Sequence, residues 1–373
     1  MTSDSANTDQ YALKSAHLHE IDAPDLQYLP PMPRRYEPRI GVIGTGGISA
    51  SHLDAYRTAG WDVAAIWNRT RAKAEEKAAE YCPSARIEDD WEALLADSEI
   101  DVVDVTLHPE HRVPIIRAAL QAGKHVLSQK PFVTDLDLGN DLVKLADDQG
   151  VKLAVNQNGR WAPHLSWMRE AVSAGLIGDV LSAHISIHWD HSWTAGTPFD
   201  EIDQLILYDF GIHWFDFLAS LVGDRAESVF ATATSARGQA NKVPLMSQAL
   251  VRLDQGQASL VFDGGVPFGP RDTTYVAGTT GSLTSVGPDL TTQSVTLETA
   301  HGIARPALEG QWFNDGFRGA MGELLCSIED DREPSTSART NLKSLAIVLA
   351  AVASSKRKRE VEIGSIRLRT HSE

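Results

Sequence analysis

Cysteine is almost missing from this chain: only Cys82 and Cys326 occur in 373 residues. They are far apart and have no metal-ligand spacing. This excludes a disulfide framework and a structural zinc site, and a reduced, cytoplasmic protein without a bound metal is expected. Cations are also in short supply, since 34 Lys and Arg stand against 50 Asp and Glu, a net charge of −16. That balance argues against nucleic acid or an anionic membrane as the main partner. The one basic cluster, Lys356-Arg357-Lys358-Arg359, follows an apolar helix and reads as cations at its negative dipole end. No apolar run reaches the roughly eighteen residues that a membrane span needs. The first 37 residues lack the apolar core of a signal peptide, and Arg34-Arg35 runs into Tyr36-Glu37-Pro38, unlike a twin-arginine signal. Internal repeats and low-complexity tracts are likewise missing.

The length predicts two domains. Residues 1–37, with Pro24, Pro30, Pro31 and Pro33, read as an extended arm that is either disordered or packed across a neighbouring surface. At 39–52 an apolar strand, Ile40 to Ile43, breaks into Gly44-Thr45-Gly46-Gly47-Ile48 and resumes with Ile48, His52, Leu53 and Tyr56 on one helical face. Glycines at a strand-to-helix turn let backbone N–H groups approach a pyrophosphate at the helix N-terminus. Ser49 stands in the third place of G-x-G-x-x-G/A, small enough for close helix-strand packing but an imperfect match. Strands and helices then alternate with short connections to residue 157. This predicts a Rossmann-type doubly wound parallel sheet over 38–157. The turns after residues 43, 67, 107, 129 and 155 face one crevice beyond the carboxyl ends of the strands.

After residue 157 the pattern changes. Helices at about 163–174 and 209–221 and a strand near 180–189 precede short alternating strands over 226–300. Asp254-Gln255-Gly256-Gln257 marks a hairpin between two of these strands. Leu342, Leu345, Leu349 and Val352 make a late amphipathic helix. Residues 158–373 are expected to form an α+β domain with a large open, mainly antiparallel sheet covered by helices on one face. The uncovered face is expected to join copies of the chain in a homo-oligomer.

Five motifs in order carry a resemblance: Gly44-Thr45-Gly46-Gly47-Ile48, Thr106-Leu107-His108-Pro109-Glu110-His111, Ser128-Gln129-Lys130-Pro131, Asn156-Gln157-Asn158-Gly159-Arg160-Trp161 and Asp209-Phe210-Gly211-Ile212-His213. Together they resemble the glucose-fructose oxidoreductase, inositol dehydrogenase and MocA (Gfo/Idh/MocA) family over residues 39 to about 365. The resemblance implies a dinucleotide-binding domain followed by a substrate and oligomerisation domain. It also implies that Lys130, usually within Glu-Lys-Pro, contacts the substrate oxygen and the nicotinamide ribose, with His213 as proton acceptor beside Asp209. Here Gln129 replaces the glutamate, which removes a negative charge beside the ammonium.

Asp209 and His213 are four residues apart, so a continuous helix puts them on one face, where the carboxylate can orient the imidazole. Asp216, one turn on, reads as structural. Cofactor contacts are expected from Gly44, Gly46, Gly47, Ile48, Asn68, Arg69, Thr70, Thr106, Leu107, His108, His111, Gln129, Lys130, Asn158 and Arg160. Substrate contacts are expected from Lys130, Trp161, His188, Trp189, His191, Asp209 and His213. Alternation through His188-Trp189-Asp190-His191 puts His188 and Asp190 on one face and Trp189 and His191 on the other.

The leading function is hydride transfer between a nicotinamide and a sugar, cyclitol or related polyol. The alternatives are a lyase or glycosidase that uses tightly bound NAD, and a non-catalytic sensor. At the place where an acidic residue would bind the ribose of NAD, the chain has Asn68-Arg69-Thr70, which predicts a preference for NADP(H) over NAD(H). The competing reading keeps Asn68 on the ribose of NAD and turns Arg69 to solvent.

Overall fold

The computed structural model of the protein describes residues 18–369. The first sheet is built from β1 (Arg39–Ile43), β2 (Asp62–Trp67), β3 (Arg86–Ile87), β4 (Val102–Val105), β5 (His125–Gln129) and β6 (Leu153–Asn156). Its order is β3-β2-β1-β4-β5-β6 and every pairing is parallel. The strands read as nearly continuous apolar runs because both faces are covered. The connecting helices are α1 (Ser49–Ala59), α2 (Arg71–Tyr81), α3 (Trp91–Ala96), α4 (Pro109–Gln121) and α5 (Leu136–Gln149). Gly60 and Gly150 close α1 and α5 in the left-handed conformation that a side chain would strain.

Beyond a short 3-10 turn, Asn158–Trp161, come α6 (Pro163–Ser173), β7 (Val180–His188), a π-turn (Ile206–Phe210) and α7 (Ile212–Val222). The second sheet is completed by β8 (Ala226–Thr234), β9 (Met246–Leu253), β10 (Gly256–Asp263), β11 (Arg271–Gly278), β12 (Gly281–Gly287), β13 (Ser294–Thr299) and β14 (Gly302–Ala304). The helices α8 (Trp312–Glu329) and α9 (Ala338–Arg357) and the short β15 (Val361–Glu362) follow. The nine strands run β14-β13-β12-β11-β7-β10-β9-β8-β15, antiparallel except for β7 against β10. The α+β expectation therefore holds, with one parallel pair that the alternating pattern does not reveal. Along β8, β9 and β11, Val229, Ala231, Ala249, Val251, Thr274 and Val276 are buried beneath helices. Phe230, Leu250, Tyr275 and, on β12, Val286 alternate onto the uncovered face and stay exposed.

Residues 158–373 do not all stay with the second sheet. α8 crosses back, and its Phe317, Met321, Leu324 and Leu325 join Ile40, Val42, Leu53 and Val63 in the core on one side of the first sheet. Each such side chain contributes about 1.5–3 kcal/mol by burial. α9 keeps its expected apolar face, with Leu345, Leu349 and Val352 buried, and Leu342 packs against Gly139 of α5. Both helices thus tie the two sheets together. The described part of the arm packs on its own chain. His19 and Ile21 bond to Ile303 of edge strand β14, and Tyr28 accepts a bond from Ser166 Oγ at 2.6 Å. Pro31 O lies where a β-carbon at Gly322 of α8 would stand. Residues 1–17 lie outside the described residues.

His164 near the start of α6 is buried, and neither ring nitrogen finds a partner among the described residues. Burial pushes its pKa down to about 3. In the unfolded chain a histidine takes up its proton near pH 6.5. Above that pH both states are neutral and the group has no effect. As pH falls from about 6.5 towards 3 only the unfolded state binds the proton, so stability is lost at up to about 1.4 kcal/mol per pH unit. His164→Leu is expected to make the fall in urea midpoint between pH 7 and pH 4 shallower by about one proton. An unchanged slope would contradict this.

Candidate active site at the junction of the two sheets

The crevice begins at the glycine turn. Gly44 has φ +105, and a β-carbon there would stand 2.8 Å from Thr106 Oγ1 and Leu107 Cδ2, so only glycine fits. Thr106 Oγ1 donates to Gly44 O at 2.8 Å and supports the turn from beneath. Gly46 and Gly47 are exposed, and no atom lies within 4 Å of where their β-carbons would be. Ile48 at the head of α1 supplies no side-chain acceptor, so the first N–H groups of the helix are not capped from its own residue. An open cradle at a helix N-terminus fits a pyrophosphate. Ser49 is fully buried, as close packing at the third motif position requires.

At the end of β2 the Asn68 carboxamide is committed to the loop. Its oxygen accepts from Thr45 N–H at 3.1 Å and its nitrogen donates to Thr70 O at 3.0 Å. Arg69 and Thr70 are exposed, and Arg69 makes no hydrogen bond or ion pair among the described residues. His108 and His111 are exposed at the start of α4, where Leu107 packs beside Gly44.

A residue that the sequence reading missed holds these turns in register. Arg112 of α4 is fully buried, with its guanidinium donating to Leu107 O, Gln129 O and Pro131 O. Burial lowers its pKa to about 9. One side chain thereby satisfies carbonyls of the loops after β4 and β5, directly beside Lys130. An arginine that follows Glu110 and His111 in the first turn of a helix carries no motif that could flag this role. A second missed group lies below. His52 Nδ1 and Tyr56 OH both bond to Asp104 Oδ2 at 2.7 Å, and Asn156 Nδ2 reaches His52 Nε2 at 3.0 Å and Gln129 Oε1 at 3.2 Å. Gln129 Oε1 also accepts the Lys130 N–H at 2.7 Å. This buried chain links α1 to the strand end that presents Lys130. The helical spacing of His52 and Tyr56 marks a shared face, but their partners on β4 and β6 are set by the fold.

Lys130 meets the second domain. Its Nζ donates to Asp209 O at 2.9 Å and lies 3.3 Å from Asp209 Oδ1. This corrects the expected Asp209–His213 pairing. The π-turn over 206–210, closed by Gly211 N donating to Ile206 O, replaces the continuous helix, and the carboxylate engages Lys130 instead. A β-carbon at Gly211 would stand 2.8 Å from Ile206 O, so the turn needs glycine there. His213 heads α7 with its ring edge-on to Trp312 at 5.2 Å, and its Nδ1 is buried without a partner. Desolvation, aided by the Lys130 ammonium, holds its pKa well below the ordinary histidine value. Trp189 and His191 share one face, stacked at 6.1 Å, and pack on Phe210, whose ring is 5.4 Å from Trp189 and 4.1 Å from His191. Burial lowers the pKa of His191 to about 4.

Other expected contacts are not brought to this place. Arg160 is buried with its guanidinium on Asp216 at 2.6 and 3.0 Å and on Ser335 O, which leaves it no role at the cofactor. Asp216 also accepts from Ser344 of α9, the structural part expected of it. Trp161 is wedged against Gly319 of α8, too deep to meet a substrate. His188 points to the uncovered face of the sheet, bonded to Asp263 at 2.8 Å and Ser186 at 2.7 Å, because alternation along β7 turns it away from Trp189. Asn158 is buried against Gly316 of α8. Among the described residues no group of three His, Cys, Asp or Glu is placed to hold a metal ion.

Comparison with known proteins agrees with this architecture. Residues 38–157 match a family model described as "Oxidoreductase family, NAD-binding Rossmann fold", and residues 165–284 match one described as "GFO/IDH/MocA C-terminal domain". A D-apiose dehydrogenase of Paraburkholderia graminis is 28% identical over 87% of this chain and 89% of its own length. An inositol 2-dehydrogenase of Rhizobium meliloti is also 28% identical, over 87% of this chain and 99% of its own. The solved structure of an oxidoreductase from Agrobacterium radiobacter, in complex with NAD+, L-tartaric acid and magnesium, shares the fold. Its TM-score is 0.78 at 20% identity, covering 88% of this chain and 99% of that one. Both models fall in sequence order on the two sheets, and this chain belongs to the Gfo/Idh/MocA family of NAD-binding oxidoreductases.

Proposed function

We propose that the protein is an NAD(P)-dependent dehydrogenase or reductase acting on a CH–OH group of a sugar, cyclitol or related polyol. The observation that carries this reading is the meeting of Lys130, from the carboxyl end of β5, with Asp209 and the adjoining His213 of the second domain. When bound, the nicotinamide supplies the carbon that exchanges hydride. The residues of the chain handle the proton and the oxygen. The Lys130 ammonium has three donors and gives one to Asp209 O while pairing with the Asp209 carboxylate at 3.3 Å, which leaves a donor for a substrate oxygen. A neutral His213 is a proton acceptor at neutral pH, and its Nε2 is the nitrogen left to take the hydroxyl proton. Trp189, Phe210 and His191 offer apolar faces for ring C–H groups together with a neutral imidazole for hydroxyls. Relatives named for apiose and inositol support the substrate class.

Lys130→Ala and His213→Ala are each expected to lose on the order of a hundredfold to ten-thousandfold in turnover while still binding cofactor. A screen of sugars and cyclitols with both cofactors, read by absorbance of the reduced nicotinamide, supplies the substrate. Near-normal turnover in both variants would sink the assignment.

A preference for NADP(H) is part of the proposal. It is supported by the exposed Arg69, which has no partner among the described residues, beside an Asn68 whose amide is already engaged, with no acidic side chain at positions 68–70 to repel a 2′-phosphate. Arg69→Ala is expected to weaken NADP(H) binding by roughly tenfold to a hundredfold, the worth of a charge-assisted hydrogen bond, and to leave NAD(H) unchanged. Tighter binding of NAD(H) by the parent protein would refute the preference. The protein is also proposed to be a homo-oligomer through the uncovered sheet face, where Phe230, Leu250, Tyr275 and Val286 are exposed. Light scattering at micromolar concentration is expected to give a multiple of the chain mass, and a monomer would contradict it.

A further inference from the structure

A wall of aromatic rings leads outward from the reacting groups. Phe210 follows Asp209, His191 lies 4.1 Å from Phe210, Trp193 6.3 Å from His191, and Phe199 5.5 Å from Trp193. The two outer rings are open to water: His191 is buried, whereas Trp193 is 60% exposed and Phe199 37% exposed. Phe268, at 86%, stands on the neighbouring loop, whose Gly265 bridges to Asp190.

The segment that carries these rings is firmly braced. Ser192 N–H donates to Asp190 Oδ1 at 2.9 Å, and Thr194 N–H to His191 O at 3.0 Å. Thr194 Oγ1 takes a bond from Asn241 at 2.7 Å, and Asp200 accepts N–H groups of Gly196 and Lys242 at 3.1 and 2.8 Å. A tryptophan held in place yet left in water, continuous with a sugar-binding crevice, is a surface built for a ligand rather than a gap in packing.

We infer that the crevice has a second carbohydrate subsite formed by Trp193 and Phe199, and that the preferred substrate is a glycoside or oligosaccharide whose second ring stacks there while the first meets Lys130 and His213. This rests on the polyol-oxidoreductase reading and names the substrate class within it. Binding of a remote ring can be used to orient the reacting one, so the second ring should raise kcat/KM as well as affinity.

The test titrates the full chain with glucose, maltose and cellobiose, following tryptophan fluorescence, in the parent protein, Trp193→Ala, Trp193→Phe and Phe199→Ala. The parent is expected to bind at least one disaccharide roughly threefold to tenfold more tightly than glucose, the size of an aromatic contact. Trp193→Ala is expected to abolish that difference, Phe199→Ala to reduce it and Trp193→Phe to keep most of it. Equal affinity for mono- and disaccharides in the parent overturns the inference, as does a preference that survives in Trp193→Ala. A fall in light-scattering mass for Trp193→Ala with unchanged sugar discrimination also overturns it, since the ring then belongs to a subunit contact. The two readings fail separately. Disaccharide binding without oxidation of any sugar removes the dehydrogenase and keeps the subsite, while oxidation of a monosaccharide with no disaccharide preference does the reverse.

Discussion

One contact between two independently built sheets governs the site: the ammonium of Lys130 against the carboxylate and carbonyl of Asp209. The lysine stands at the end of a parallel strand and the aspartate in a π-turn over an antiparallel sheet, so the contact exists only if both supports are fixed. With both side chains mostly buried, its value as net stabilisation is small, because desolvation offsets much of the attraction. Its consequence is geometric, since a lysine free to swing could not present a donor to one oxygen.

The surrounding structure supplies that rigidity from both sides. Arg112 satisfies three carbonyls around Lys130, and the hydrogen-bonded chain from Tyr56 through Asp104, His52 and Asn156 ends on Gln129, whose oxygen takes the lysine's own N–H. Burying such groups is costly unless they are paired, so the network favours one arrangement, although Asp104 Oδ1 and Asn156 Oδ1 have no partner among the described residues. On the other side, Arg160 with Asp216 joins the 158–161 turn to α7, and Ser344 of α9 adds a third point. α8 completes the join by burying its apolar face on the first sheet while its first residue, Trp312, packs on the His213 ring.

The electrostatics follow from the same enclosure. His213 and His191 are held neutral chiefly by burial, although acidic groups lie close to His191. Arg112 keeps its charge in a fully buried position because carbonyl oxygens surround it. A crevice with neutral imidazoles, one ammonium and an apolar wall suits ligands rich in hydroxyls and poor in charge. Carboxylates outside it, such as Glu92 and Asp141, are exposed to solvent.

The features legible in the residues alone are those carried by short-range periodicity. They are the parallel first sheet, the glycine turn, the alternating strands of the second sheet, the buried face of α9, and the strand ends at which Lys130 and Asn68 stand. These are decided by contacts within some twenty residues, where a period of two or 3.6 and a required backbone angle leave direct marks. Which side chains meet depends on how the distant elements pack. Arg160 and Trp161 follow the β6 strand end as a crevice residue would, yet Asp216 and Gly319, far along the chain, draw them into the interior. Asp209 and His213 have helical spacing, but the π-turn and the approach of Lys130 from the other domain reassign the carboxylate. The return of α8 leaves no local mark, because its partners Ile40, Val42 and Val63 on the first sheet, more than two hundred residues away, are selected by packing of the whole chain and not by any repeat within it. Arg112 has its partners within twenty residues, yet its bonds go to loop carbonyls that follow no period.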